Sequence, residues 1–220
     1  MKEIFSNSRL QYLLFFFLIC GGLIFAQSIQ DMIDSNKTPI NYNISSIKEI
    51  KKGDIIEGDI HSTLGSYETI TTKRNGRTES TKFRYVIPIG DKKFIGFEAS
   101  KDDMINSMEN LTDETFDYLS QKSDTPETVI HFKGKVQKMN KEDLGYFKDY
   151  LKQGGFSEED IENNAYNLYI QNRTFGNYIP SMIIGAIFFI IGIVILIKAL
   201  NKAKEQKYTT TTDENNISQF

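Results

Sequence analysis

Two carboxylates and an imidazole occupy alternate positions in one short stretch, Glu57, Asp59 and His61. These are donors that a divalent metal accepts. Alternation places all three on one face of a strand, with neighbours about 6.5–7 Å apart along it. His131 lies on the polar face of a second stretch and joins the set if the two strands are neighbours. No His-Glu-x-x-His pair, Gly-x-Ser-x-Gly elbow or phosphate-cradling loop accompanies them. Glu57, Asp59, His61 and His131 are therefore metal candidates set against a plainer alternative, a solvated strand face. No cofactor site and no catalytic constellation emerge.

Charge offers a second kind of chemistry. Lys73, Arg74, Arg77, Lys82 and Arg84, with Lys92 and Lys93, gather in one stretch, and Asp102, Asp103, Glu109, Asp113, Glu114, Asp117, Asp124 and Glu127 dominate the next. The basic group suits an anionic envelope polymer, lipid head groups or a partner subunit. The alternative is that both patches are solvated surface, or pair with each other. Over residues 30–177, 20 Lys and Arg stand against 25 Asp and Glu, a net charge of −5. This is not the basic footprint of a nucleic-acid binder. Cys20 is the single cysteine, so packing alone must hold the fold.

The elements that position these groups follow from periodicity. Residues 54–61 alternate as a half-buried strand, and residues 67–72 form a second. Asn75-Gly76 is the pair preferred in a two-residue hairpin turn. In the strand that follows, Phe83, Tyr85, Ile87 and Ile89 share a face opposite Lys82 and Arg84, and Phe94 to Ala99 gives a fourth strand after Gly90-Asp91. From Asp102 the period turns helical with Met104, Ile105, Met108 and Leu111, and a second short helix is expected at Thr112-Asp113, carrying Phe116 and Leu119. Thr128 to Lys138 is a strand. Asn140 caps a helix carrying Leu144, Phe147 and Leu151 that stops at Gly154-Gly155. Ser157 to Asp160 opens a short helix, and Ala165 to Gln171 alternates as a last strand. The fold class is α+β: a small bent antiparallel sheet or partly open barrel, like the oligonucleotide/oligosaccharide-binding barrel, with inserted helices over residues 47–172.

Two apolar runs flank this domain. Ile179 to Ile197 carries no charged side chain, and about 19 residues at about 1.5 Å each match the hydrocarbon thickness of a bilayer. The helix is expected over 178–200. The first run, 12–29, reads either as a retained helix or as a signal peptide ending in Ala26-Gln27-Ser28. Lys198, Lys202, Lys204 and Lys207 follow the second run and only Arg173 closely precedes it, while Lys2 and Arg9 precede the first. By the positive-inside rule both ends are cytoplasmic and the middle is outside. Residues 1–11 form the cytoplasmic N-terminus, 30–46 a connector and 201–220 a disordered tail. Ser181, Gly185 and Gly192 on one helix face, with Gly21 and Gly22 on the other helix, permit close helix packing. Neither span carries a buried ionisable residue, which argues against a transporter or proton path.

Between two such anchors, Gly53-Asp54-Ile55-Ile56-Glu57-Gly58-Asp59-Ile60 and Tyr85-Val86-Ile87-Pro88-Ile89-Gly90 resemble an uncharacterised two-span membrane-protein family of low-GC Gram-positive bacteria, a resemblance that implies no activity. The expected function is a non-enzymatic, membrane-anchored interaction or sensing module. Its partners are the lipid bilayer and a membrane or envelope protein or anionic polymer. The rivals are a tethered metal-dependent hydrolase and an accessory subunit of a larger membrane complex.

Overall fold

The computed structural model describes the backbone of residues 8–42, 50–90, 93–173 and 178–217, and the side chains within 12–201 of that set. Residues 1–7, 43–49, 91–92, 174–177 and 218–220 lie outside the described residues, Asp91 of the expected Gly90-Asp91 turn and Lys92 among them. With them go parts of the expected N-terminus, connector, basic group and tail. The chain forms two compact units, residues 37–174 and the two termini together.

In the terminal unit, α1 (Ser8–Phe15) passes through a π-helical turn at Phe16–Cys20 into α2 (Gly21–Ser35). It packs against α6 (Tyr178–Ile217). Tyr12–Ser35 and Tyr178–Asn201 are both long and apolar enough to cross a membrane. The glycines are where the helices meet. A Cβ on Gly21 would fall 2.6 Å from the Phe189 nitrogen, one on Gly185 2.6 Å from the Phe25 nitrogen, and one on Gly192 2.8 Å from the Leu18 side chain. Those pairings run in opposite directions along the two helices, so the unit is an antiparallel hairpin sealed by small residues. Helix α2 runs to Ser35, into the stretch expected to be an irregular connector. The tail expected to be disordered is helical to Ile217, its first turns supplied by the good helix formers Lys202, Ala203, Lys204, Glu205, Gln206 and Lys207.

The larger unit is α+β, as its sequence indicates. Strands β1 (Ile40–Asn41), β2 (Ile55–Ile60), β3 (Ser66–Arg74), β4 (Arg77–Ile89), β5 (Lys93–Ala99), β6 (Ile130–Lys138) and β7 (Ala165–Asn172) form one sheet, ordered β1-β2-β6-β7-β5-β4-β3. It is open and mixed, with parallel pairing in β1–β2 and β5–β7, and neither a closed barrel nor purely antiparallel. Only β3–β4–β5 make a meander, because β2 pairs with β6. The reason lies in burial on both faces. Tyr85, Ile87, Ile95 and Phe97 pack with Ile105, Met108 and Leu111 of α3 (Asp102–Leu119) on one side. Val86 and Met139 pack with Phe147 and Leu151 of α4 (Lys141–Gln153) and Ile161 of α5 (Glu158–Asn164) on the other. A sheet covered by helices on both faces has no apolar inner face left to close upon.

The second helix expected at Thr112-Asp113 does not form, and Thr112 and Thr115 belong to α3 itself. Their hydroxyls donate to the carbonyls of Met108 and Leu111 at 2.7 and 2.6 Å, so they sit inside a continuous α3 of 18 residues. Asn140 caps α4 as its sequence indicates. Its Oδ1 accepts from the amides of Glu142 and Asp143, and Asp143 accepts in return from the Asn140 amide.

Candidate functional site

Pairing of β2 with β6 sets Glu57 opposite Lys133 and Asp59 opposite His131. The structure thus brings His131, rather than His61, to the two carboxylates. His131 Nδ1 lies 2.9 Å from Asp59 Oδ1, its Nε2 lies 3.8 Å from Glu57 Oε1, and Lys133 Nζ lies 3.1 Å from Glu57 Oε2. The two ring nitrogens are directed to different carboxylates, and a cation already holds one of these. Such a ladder of cross-strand pairs does not converge on a point where an ion would sit. Among the described residues no group of three or more His, Cys, Asp or Glu is placed to hold a metal ion. His61, exposed just past the end of β2, joins none of these contacts.

The five basic candidates separate into two sets. Lys82 and Arg84 are not a docking surface, because both turn inward to acids. Arg84 has a side chain only 8% exposed, and its Nη1 lies 2.8 Å from Glu68 Oε2 and 2.9 Å from Asp143 Oδ2 while its Nη2 lies 3.2 Å from Glu98 Oε2. Tyr169 covers the guanidinium at 4.3 Å. Lys82 Nζ takes the other Glu98 oxygen at 3.0 Å, and the Gln171 amide donates to that oxygen at 3.1 Å. Burial works against the charge on Arg84, yet the anionic groups around it hold its pKa above the ordinary guanidinium value. Burial also lifts the Glu68 carboxyl above the usual carboxylate range, against the pull of Arg84. An isolated buried charge is costly, so an arginine among apolar strands requires acids on the facing elements. Sequence alone could not say which acids these are, since they come from β3, β5 and α4.

Lys73, Arg74 and Arg77 belong to the other set. Asn75 (φ 50°) and Gly76 (φ 76°) form the expected two-residue turn, with Arg74 paired to Arg77 across it. Every residue from Thr71 to Ser80 is exposed. The ribbon therefore stands clear of the core as an arm bearing three cations and one acid, Glu79. Arg74 Nη1 is 3.8 Å from Glu79, and neither Lys73 nor Arg77 has an ionic partner among the described residues. Nor does the acidic α3 segment neutralise the arm: Glu114 accepts from the Thr128 hydroxyl and amide and the Glu127 amide, and Asp117 pairs with Lys122 at 3.5 Å.

A groove of about 420 Å³ went unread in the sequence. It lies between the C-terminal turns of α3 and α4, walled by Phe116, Leu119, Leu64, Tyr150 and Phe156. Phe116 and Leu119, expected on a second short helix, lie in α3 and are 46% and 58% exposed.

Residues 1–198 match the family model described as a domain of unknown function, DUF8577. No curated protein matches the chain.

Proposed function

We propose, for a chain that belongs to the DUF8577 family, a two-pass membrane protein that works as a non-enzymatic docking module. Its termini are cytoplasmic and residues 37–174 extracytoplasmic. Gly21, Gly185 and Gly192 are each fitted closely against the partner helix. These features favour a retained first helix over a cleaved signal peptide. The lysines from Lys198 onward favour the cytoplasmic side for the C-terminus.

The single observation that carries the docking reading is the β3–β4 arm. Ten consecutive exposed residues hold Lys73, Arg74 and Arg77 away from the core. A two-stranded ribbon contributes little to its own stability, and its cations, Arg74 held only at 3.8 Å by Glu79 and Lys73 and Arg77 with no ionic partner among the described residues, attract an anionic one. The partner class is an anionic polymer, an anionic head-group surface or the acidic face of another envelope protein.

The test is recovery from native membranes in mild detergent of the full chain and of K73Q/R74Q/R77Q. The wild type is expected to retain an anionic component that is released by raised salt, and the triple variant to lack it. Equal recovery by both proteins removes the arm from the account.

A further inference from the structure

We infer that the cluster around Arg84 is a proton-responsive clamp at the base of the arm, holding β3 more firmly when the medium is acidified. The inference stands apart from what the arm binds. Arg84 and its cross-strand partner Glu68 lie three residues below the exposed stretch that begins at Thr71 on β3. Whatever the cluster does is therefore felt where the arm joins the domain.

Three carboxylates meet two cations. Glu68 comes from β3, Glu98 from β5 and Asp143 from α4, and Arg84 and Lys82 come from β4. β7 contributes Tyr169 and Gln171, and β3 also contributes Tyr67, whose buried hydroxyl has no hydrogen-bond partner. Glu142, the residue before Asp143 in the first turn of α4 and bonded by the Tyr146 hydroxyl at 2.9 Å, adds another negative charge towards Glu68. The surplus is thus one negative charge inside the cluster and a further one beside it.

Of the three acids, Glu68 is the one placed to take up a proton. Glu98 is held by Arg84, Lys82 and Gln171. Asp143 is held by Arg84 and the Asn140 amide. Glu68 has the single Arg84 Nη1, which it shares with Asp143, and it is the most exposed of the three at 14% against 11% and 4%. Protonating it removes the surplus charge and leaves Arg84 paired with Glu98 and Asp143. The sign follows from the raised Glu68 value. A carboxyl that binds its proton more readily folded than unfolded adds stability as pH falls through its folded-state pKa, and that stability is lost again as pH rises.

Hydrogen exchange on the full chain in lipid nanodiscs, corrected for intrinsic exchange rates, tests this at pH 5 and pH 8. Protection of the β3 amides in 68–74 is expected to be several-fold higher at pH 5, with the β6 amides unchanged. E68Q, which is neutral at every pH, is expected to show the high protection at both. A wild type whose β3 protection stays flat or falls on acidification overturns the inference, as does an E68Q protein that keeps the wild-type pH response. Direct titration of the Glu68 carboxyl carbon by NMR settles the matter should E68Q fold poorly: a midpoint at or below the ordinary glutamate value contradicts the clamp.

Discussion

Arg84 Nη1 lies 2.9 Å from Asp143 Oδ2, and this contact ties the fourth strand of the sheet to the first turn of α4. Asp143 also closes the capping box with Asn140, so one carboxylate fixes both the start of the helix and its seat on the sheet. Arg84→Ala leaves Asp143 and Glu68 without their cation and Glu98 with Lys82 alone. Removing one partner of such a network costs about 3–5 kcal/mol. Chemical unfolding followed by tyrosine near-ultraviolet signal is expected to show a loss of that size, whereas Arg74→Ala, at a side chain 77% exposed, leaves the midpoint within error.

Cap chemistry predicts a smaller effect. Asn140→Ala removes the acceptor for two α4 amides and is expected to cost about 1 kcal/mol, while Asn140→Asp, an equally good cap, leaves the stability close to that of the wild type. The same unfolding midpoints measure both.

The β2–β6 surface predicts indifference to metal. His131 directs its nitrogens to Asp59 and Glu57 separately, so calorimetric titration of the full chain with zinc or manganese is expected to show no stoichiometric binding, and chelation is expected to leave the unfolding midpoint unchanged. A one-to-one isotherm abolished by His131→Ala would restore the metal-dependent hydrolase.

Spacing along the two long helices predicts which glycine matters. Gly185 meets the Phe25 backbone, where a side chain has no room, whereas a Cβ on Gly22 meets only the Phe189 ring at 3.6 Å or more. Gly185→Leu is expected to open the helical hairpin and Gly22→Ala to leave it intact, read as mobility in denaturing gels and as cross-linking between cysteines placed at Leu18 and Gly192 in a Cys20→Ser background.

Element order was largely legible in the sequence because the signals were local: the alternation of β2, the Asn75-Gly76 turn, the Asn140 cap and the glycine stop after α4 are each written within a few residues. Pairing was not legible, since the β2–β6 and β5–β7 contacts join residues far apart in the chain. An antiparallel sheet or partly open barrel follows from pairing strands with their neighbours in sequence, and the long-range pairs are what make the open sheet mixed. The same nonlocality divided the basic group. Arg84 and Arg77 look alike in sequence, and only the acids arriving from β3, β5 and α4 make one of them internal.

Photo-cross-linking from a side chain at Asn75 in intact cells tests whether the basic arm engages an anionic partner, with one at the exposed Asp149 as control. The expected result is an adduct formed from Asn75, absent from Asp149, and lost when Lys73, Arg74 and Arg77 are replaced by glutamine. An adduct of equal yield in the neutralised protein, or none from Asn75 at all, contradicts that engagement.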